Sequence, residues 1–317
     1  MYIKYSQQFK LDSKRFKNIL IGFAFSPNLK ANVFEALRLS SSLKGSLFFL
    51  HVGKKTQIKS DKFNDILASS PIKSSGTKVI WREGNAVETI ITQCEKNNID
   101  LLLLGALQRE NVLRFYLGSI ARKITRKSPC SVLLLIKPSI DIVVKEHMVV
   151  NAFKSAQTTD TISAAFDYAK KLNIPKITLV DEINQSKIDV KVDDDVSLKK
   201  ATKIREELTE REKKRVSEII KSIPSILTKD KQIKSQSIFG KRGYSIGHYA
   251  RVTRADLLVI NSEEKRNSFW NKWCRAARPR LRSSRTVLIE TTCTPCCDSA
   301  STLSLARRVV IRPRMRS

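Results

Sequence analysis

Cysteine and histidine are scarce in this sequence, and long apolar runs are missing. The 317 residues include six cysteines and three histidines, and only Cys94 and Cys130 precede Cys274. A disulfide framework is therefore excluded for the main part of the chain, which favours a reducing setting. No apolar run approaches the roughly 20 residues that a helix needs to cross a bilayer. The polar stretch Met1 to Lys17 has no signal-peptide core, so we expect a cytoplasmic protein without a membrane span.

Acidic residues are also few. Thirty aspartates and glutamates stand against 59 lysines and arginines, which gives a net charge of +29. Most of the lysines are scattered over predicted helix faces, so a solvated surface is the simpler interpretation. Attraction to nucleic acid or to an anionic membrane surface is the alternative. The sequence has no basic patch interleaved with aromatics and no helix-turn-helix signal, so we expect no specific nucleic-acid partner.

The stretch Asp100 to Ile136 carries the most information about fold. Leu101 to Leu104 form a short apolar run that ends at Gly105, and a second run, Val132 to Ile136, follows Pro129. The segment between the two runs has helical spacing after Gly118. Because both runs are apolar throughout and do not alternate, they are typical of parallel strands that are covered on both faces.

Gly105 and the Gly118-Ser119 pair lie where a backbone could approach a ligand closely. Gly118 and Ser119 come at the start of the predicted helix, whose free N–H groups and positive dipole end favour an anion such as phosphate. Ser119 could cap the helix and also donate to a phosphate oxygen. A simple glycine turn with a helix cap explains the same residues without a ligand.

The first half as a whole predicts alternating strands and helices. Strands are expected at Asn18–Phe23, Leu47–Val52 and Thr77–Trp81, before the two runs already described. Right-handed crossovers would give a doubly wound α/β unit, with its ligand crevice at the carboxyl ends of the strands. Four residues fall at such ends or just beyond them: Ala24, Val52, Gly105 and Gly118.

The second half repeats the first. Asp256-Leu257-Leu258-Val259-Ile260 echoes Asp100-Leu101-Leu102-Leu103-Leu104, and Gly240 precedes the former by the same interval as Gly84 precedes the latter. A repeat of this length predicts tandem domains. We place a first domain at residues 1–141 and a second at 142–292, with a helical insertion at 181–221.

The insertion and the tail contain two further candidate sites. Asp193, Asp194 and Asp195 precede Ser197, a pattern that predicts a helix N-terminus capped by Ser197, with a metal site as the alternative. Residues 293–317 are rich in arginine and cysteine and are predicted to be disordered. The Cys-x-x-Cys at Cys293 and Cys296 lacks the second ligand pair of a zinc site, and the abrupt change in composition is also what a translated frameshift would produce.

The stretch that begins at Gly105 resembles the signature of the universal stress protein family, in which a strand ends in Gly and is followed by two residues, Gly, nine residues and Gly-Ser. Gly105, Gly118 and Ser119 match this spacing, and Gln108 stands at the middle glycine. The resemblance implies two doubly wound, Rossmann-like domains, the second of them degenerate. It also implies that ATP or another adenine nucleotide binds in the first domain. The residues implied for this site are Ala24, Val52, Gly105, Gln108, Gly118, Ser119 and Ile120.

Two functions remain open at this point. The first is a stress-response regulatory protein that binds a nucleotide, and the second is a protein-interaction module that keeps only the fold. Ala24 stands where the family has an Asp that contacts the nucleotide, and Cys274-Arg275 replaces Gly-Ser in the second copy. No metabolic reaction and no catalytic residue are expected, since His51 has no partner carboxylate in the sequence pattern. The resemblance further implies pairing of the two domains within one chain or a homodimer, and partner proteins.

Overall fold

The computed structural model describes residues 15–72, 76–105, 119–155, 157–188, 193–240, 243–262 and 285–290. These residues fall into two compact units. The first unit contains residues 15–145 together with the strand 285–290, and the second contains residues 146–261. Each unit is built on a parallel sheet.

Short apolar runs form the strands of the first unit. Residues 19–21 and 101–103 have no exposed surface, because the strands they belong to are covered on both faces. The strands, in chain order, are β1 (Asn18–Phe23), β2 (Ser46–Val52), β3 (Lys78–Arg82), β4 (Leu101–Gly105), β5 (Ser131–Leu135) and β10 (Arg285–Glu290). They are paired in parallel in the order β3-β2-β1-β4-β5-β10.

The helices of the first unit connect successive strands of the sheet. They are α1 (Leu29–Leu43), α2 (Gln57–Ala68), α3 (Ala86–Lys96) and α4 (Ser119–Lys127). Local capping fixes two of the starts: the Thr56 side chain accepts the Lys59 N–H ahead of α2, and Asn85 accepts the Val87 N–H ahead of α3. Helix α4 is described from Ser119 onward, where the sequence pattern predicts its first turn.

The segment between β5 and residue 145 is tied to α1. The Arg38 guanidinium donates to the carbonyls of Ser139 and Ile140, the latter at 2.7 Å, and it also pairs with Glu35. Lys145 reaches the same carboxylate, with Nζ 2.9 Å from Oε1. Because Glu35 is almost fully buried and holds two cations, it anchors the segment that leads out of the unit.

The second unit has a smaller parallel sheet in the order β9-β6-β7-β8. Its strands are β6 (His147–Asn151), β7 (Lys176–Asn184), β8 (Gln232–Gly240) and β9 (Leu257–Ser262). Its helices are α5 (Thr158–Lys171), α6 (Asp195–Ser222), the single turn α7 (Ser225–Thr228) and α8 (Tyr244–Val252). Together the two units confirm the predicted fold class, two parallel-sheet α/β domains of doubly wound type.

Helix α6 accounts for most of the segment interpreted as an insertion at 181–221. The first residues of that segment, 181–184, extend β7, and α6 begins at Asp195. Its cap differs from the prediction, because Asp194 is the capping residue. The Asp194 carboxylate accepts the Ser197 N–H at 2.7 Å, while the Ser197 hydroxyl oxygen accepts the Asp194 N–H at 3.1 Å. This reciprocal pair is a capping box, in which Ser197 occupies the third helical position.

The two units share a contact that ties each sheet together. In the first unit one Asp100 carboxylate oxygen accepts the N–H groups of Lys17 and Asn18, at 3.0 and 2.9 Å. In the second unit Asp256 accepts the N–H groups of Glu146 and His147 in the same way, at 2.8 and 3.0 Å. Each aspartate therefore links the start of the fourth strand to the start of the first strand, which gives the sequence repeat a physical basis.

Backbone conformation repeats as well. Asn98 and Arg254 have φ values of 48° and 52° at the ends of α3 and α8, and Gly84 and Gly240 have φ values of 121° and 156° ahead of those helices. The glycines are required because other residues rarely adopt such angles. The equivalent helices thus end at a residue with positive φ in both units, and a glycine with positive φ precedes each of them.

Candidate functional site

The crevice of the first unit lies between β1 and β4. Strand β2 and strand β3 continue from β1 to one side, whereas β4 and β5 lie on the other, so the strand order reverses at this point. In open α/β sheets ligands bind at the carboxyl ends of the strands beside such a reversal. Ala24 follows β1 and is exposed, and Gly105 ends β4. Both residues therefore lie at strand ends beside this reversal.

Gly105 makes room for a side chain that the sequence analysis did not identify. A Cβ atom added at Gly105 would lie 2.9 Å from Nδ2 and 3.1 Å from Oδ1 of Asn32. Both distances are shorter than a normal van der Waals contact. Asn32 belongs to the first turns of α1 and is half-buried. The glycine is thus explained by the approach of the Asn32 amide, which lies across the end of β4.

Ser119 and Ile120 are both exposed at the start of α4. Half of the Ile120 surface is exposed, which is unusual for a large apolar residue beside a predicted ligand site. Helix α4 is nine residues long, so its N-terminus carries a helix dipole that favours an anion. Arg126 and Lys127 lie in its last turn, at the opposite end from Ser119.

Two of the predicted site residues, Gln108 and Gly118, lie outside the described residues. Val52 is described, half-buried, at the end of β2, where it pairs in register with Arg82. The Gly53 N–H donates to the Arg82 carbonyl at 2.7 Å and closes this corner of the sheet. Of the seven predicted residues the structure therefore describes five: Ala24 and Gly105 at the strand reversal, Val52 one strand further along, and Ser119 with Ile120 at the start of α4.

An aromatic cluster lies beside the crevice, at the ends of β1, β2 and β3. Phe23 stacks on Phe63 with ring centroids 4.4 Å apart, and Phe25 stacks on Trp81 at 6.2 Å. The His51 ring lies between these pairs, 5.3 Å from Phe23 and 5.0 Å from Trp81. The sequence contains these residues near predicted strand ends, but their separation along the chain hides the fact that they meet.

His51 is packed within this cluster. Its Nδ1 lies 3.1 Å from the Phe23 carbonyl, to which a protonated Nδ1 donates. Burial lowers the pKa of His51, although the hydrogen bond to Phe23 opposes that shift and nearby Lys59 adds to it. The described part of the chain places no carboxylate against the ring. The contacts are those of a packed strand-end histidine, as the sequence predicts.

The equivalent place in the second unit is covered by an arginine from α6. Arg215 donates through Nη2 to the Ala152 carbonyl at 2.6 Å and to Asp181 Oδ1 at 3.0 Å, and its Nε bonds Glu212 Oε2 at 2.6 Å. Ala152, which follows β6 as Ala24 follows β1, has no exposed surface. Burial raises the pKa of Asp181 to about 6, against the attraction of Arg215.

The second unit also fills a helix N-terminus with its own carboxylate. Glu182 is buried and accepts the N–H of Gly243 through both oxygens, at 2.7 and 2.8 Å, and the N–H of Ile246 at 2.9 Å. The start of α8 is therefore occupied by an internal anion. A cavity of about 310 Å³ remains above these carboxylates, lined by Phe153, Lys154, Asp181, Glu182, Lys187, Arg211 and Glu212.

Metal and membrane features were also sought in the described ranges. No group of three or more His, Cys, Asp or Glu side chains is arranged there to hold a metal ion. None of the helices described is both long and apolar enough to cross a membrane.

Comparison with protein families places this geometry in context. Residues 56–135 match the model of the universal stress protein family. The matched segment contains the strand, glycine and helix pattern on which the resemblance was based, so that resemblance is confirmed for this part of the chain. No curated protein matches the sequence.

Solved structures match over both units. A functionally unknown protein from Pseudomonas aeruginosa PAO1 covers 88% of this chain with 94% of its own length, at 14% identity and a TM-score of 0.59. A putative universal stress protein from Pseudomonas aeruginosa UCBPP-PA14 gives the same identity and TM-score with 95% of its length. A universal stress protein from Archaeoglobus fulgidus covers 88% of this chain with 98% of its own, at 16% identity and a TM-score of 0.52. At these identities the likeness establishes the fold.

Proposed function

We propose that this chain, which carries a universal stress protein segment at residues 56–135, is a stress-response regulatory protein whose first unit binds an adenine nucleotide such as ATP. The observation that carries the proposal is the crevice at the strand reversal. There the exposed Ala24, the glycine end of β4 and the exposed Ser119 in the first described turn of α4 lie beside the strand reversal of one sheet.

Each part of the crevice has a role in this proposal. The phosphates lie at the N-terminus of α4, where backbone N–H groups and the Ser119 hydroxyl donate to their oxygens. The base lies towards β2, where Val52 offers its backbone edge and Phe25 offers apolar surface. Ala24 supplies no carboxylate to hold a metal ion at the end of β1, so the proposed activity is binding without hydrolysis.

The test is equilibrium binding of ATP, ADP and AMP to the full chain, with and without magnesium. We expect saturable micromolar binding that tightens with the number of phosphates. Ser119→Glu is the informative variant. A carboxylate at the start of α4 suits the helix dipole and preserves the fold, but it repels phosphate. We therefore expect this change to weaken ATP binding by about tenfold or more, the equivalent of roughly 1.4 kcal/mol.

A matched control makes the same chemical change elsewhere. Ser225 is the exposed first residue of α7 in the second unit, and Ser225→Glu should leave the ATP affinity unchanged. Absence of binding to the wild-type chain at millimolar nucleotide would contradict the proposal. Equal weakening by both glutamate variants would contradict the assignment of the phosphate to α4.

A second candidate function is a protein-interaction module that binds no nucleotide. The aromatic cluster favours it, because the Phe25 ring contacts His51 at 5.1 Å and covers part of the corner towards β2. Under this alternative, Phe25→Ala would open the corner without creating ATP binding. Under the nucleotide proposal, the same change would alter the affinity for ATP.

A further inference from the structure

Asn32 has a buried side-chain oxygen that accepts no hydrogen bond from any residue that the structure describes. Its Oδ1 atom has essentially no exposed surface, and no described donor lies within hydrogen-bonding distance of it. A buried acceptor without a partner costs about 1 to 3 kcal/mol, so such atoms are uncommon in folded proteins. The cost would be removed if a ligand supplied the missing donor.

The position of this atom points to the crevice of the first unit. Asn32 is in the helix that follows β1, and its amide lies against the end of β4 at Gly105. These two strands are the pair between which the strand order reverses. The unsatisfied oxygen is therefore at the place where this fold class binds its ligands. At the equivalent place in the second unit, Ala152 is buried and its carbonyl is bonded by Arg215.

The chemistry of an acceptor restricts what can satisfy it. Phosphate oxygens at neutral pH are mainly acceptors, so a phosphate group cannot supply the hydrogen. Hydroxyl groups and amino groups can. In the proposed orientation the phosphates lie at α4 and the base lies towards β2, which leaves the sugar beside the end of β4.

We propose that the Asn32 amide turns towards the crevice and accepts a hydrogen bond from a ribose hydroxyl of the bound nucleotide, and that it makes the site selective for ribonucleotides. This inference rests on the proposed nucleotide-binding function. Gly105 then has a specific role, because a side chain at this position would displace the Asn32 amide. Asn32 stands eight residues after Ala24 and belongs to no part of the glycine pattern.

The experiment compares three ligands, ATP, 2′-deoxy-ATP and 3′-deoxy-ATP, by equilibrium binding to the full chain. We expect the wild-type chain to bind ATP about tenfold more tightly than one of the two deoxy analogues, since a site built to pair with a hydroxyl discriminates against its absence. Asn32→Leu, which has a similar volume, should weaken ATP binding to the level of that analogue and leave the analogue's affinity unchanged.

Two further measurements separate a ligand contact from a structural role. Asn32→Asp retains an acceptor oxygen, so we expect it to keep the discrimination even if the added charge lowers affinity for all three ligands. Without nucleotide, Asn32→Leu should raise the melting temperature, because it removes an unsatisfied buried acceptor. A residue with a structural hydrogen-bonding role would instead destabilise the free protein when replaced.

The outcomes distinguish this inference from the function on which it rests. If wild-type protein binds ATP and Ser119→Glu weakens that binding, the nucleotide site stands. Equal binding of all three ligands, or unchanged discrimination in Asn32→Leu, would then overturn the role of Asn32 alone. If the wild-type chain binds no nucleotide, the proposed function and this inference both fail.

Discussion

The two units place an alanine at the end of their first strand, but they cover it differently. Ala24 is exposed, whereas Ala152 is fully buried and its carbonyl accepts a hydrogen bond from Arg215. The parallel sheet around them, which we call the frame, is built in the same way in both units, as the matching contacts of Asp100 and Asp256 show. The difference therefore concerns what occupies the crevice and not how the sheet is built.

The inserted helix α6 produces this difference. It brings Arg215 over the end of β6, and the buried carboxylates of Asp181 and Glu212 surround the guanidinium. The negative charge that an anionic ligand could otherwise bring to Arg215 is already supplied by these two carboxylates. The comparison indicates that the same α/β sheet can leave the end of its first strand exposed in one unit and cover it with an internal ion network in the other.

The largest predicted effect comes from removing the cation of that network. Arg215→Met leaves Asp181 and Glu212 buried without their main partner, and breaking a buried ion pair in this way costs about 3 to 5 kcal/mol. We expect a loss of this size in the unfolding free energy of the second unit, measured by urea denaturation. Arg211→Met is the control, since this exposed arginine makes one 3.4 Å contact with Glu212 and should change stability by at most about 1 kcal/mol.

The next effect tests whether the two units share one frame. Asp100→Ala and Asp256→Ala each remove the acceptor of two backbone N–H groups, which should destabilise the respective unit by about 2 to 4 kcal/mol. Because Asp256 is buried, the loss should be larger there. The exposed Asp65→Ala serves as a control in the same denaturation series. A negligible loss at either position would show that the repeated contact has no common structural role.

A smaller effect should appear in the pH dependence of stability. The pKa of Asp181 is raised to about 6, mainly by burial, from about 4 in the unfolded chain. The folded state therefore binds more protons between pH 4 and 6. The stabilising contribution of protonated Asp181 is complete below about pH 4 and is lost as the pH rises through 6.

Asp181→Asn removes this titration. We expect the stability of the variant relative to wild type to be higher at pH 8 than at pH 4.5, by up to about 2 to 3 kcal/mol. Parallel denaturation curves at several pH values would measure it. A difference between variant and wild type that does not change with pH would contradict the raised pKa.

The sequence predicts the frame well because the frame depends on local patterns. Short apolar runs such as Leu101–Leu104 predict the buried parallel strands. The recurrence of an Asp followed by an apolar run, at Asp100 and again at Asp256, predicts the second sheet. The Gly-Ser pattern predicts a helix that includes Ser119, and α4 contains this residue. Each of these features is decided by residues that are neighbours along the chain or recur at a fixed interval.

Features that depend on contacts between distant residues could not be predicted in this way. Asn32 meets Gly105 only because the first turns of α1 come close to the end of β4. Arg215 reaches Ala152 only because α6 packs on β7 and β8 and its side chain extends to the end of β6. Similarly, Phe23 and Phe63 come from different elements. The prediction of Ser197 as the cap of α6 is wrong by three residues, because Asp194 is the capping residue. Both residues have side chains that can cap a helix, and the sequence does not say which of them precedes it.

The central claim is that the crevice of the first unit is open to a nucleotide and that of the second is closed. Hydrogen–deuterium exchange of the full chain, with and without saturating ATP, tests it most directly. The account predicts slower exchange at the start of α1 around Asn32, at the end of β4 and in α4, with no change around Ala152 and Arg215. Protection centred on Ala152 and Arg215, or no protection in the first unit, would contradict it.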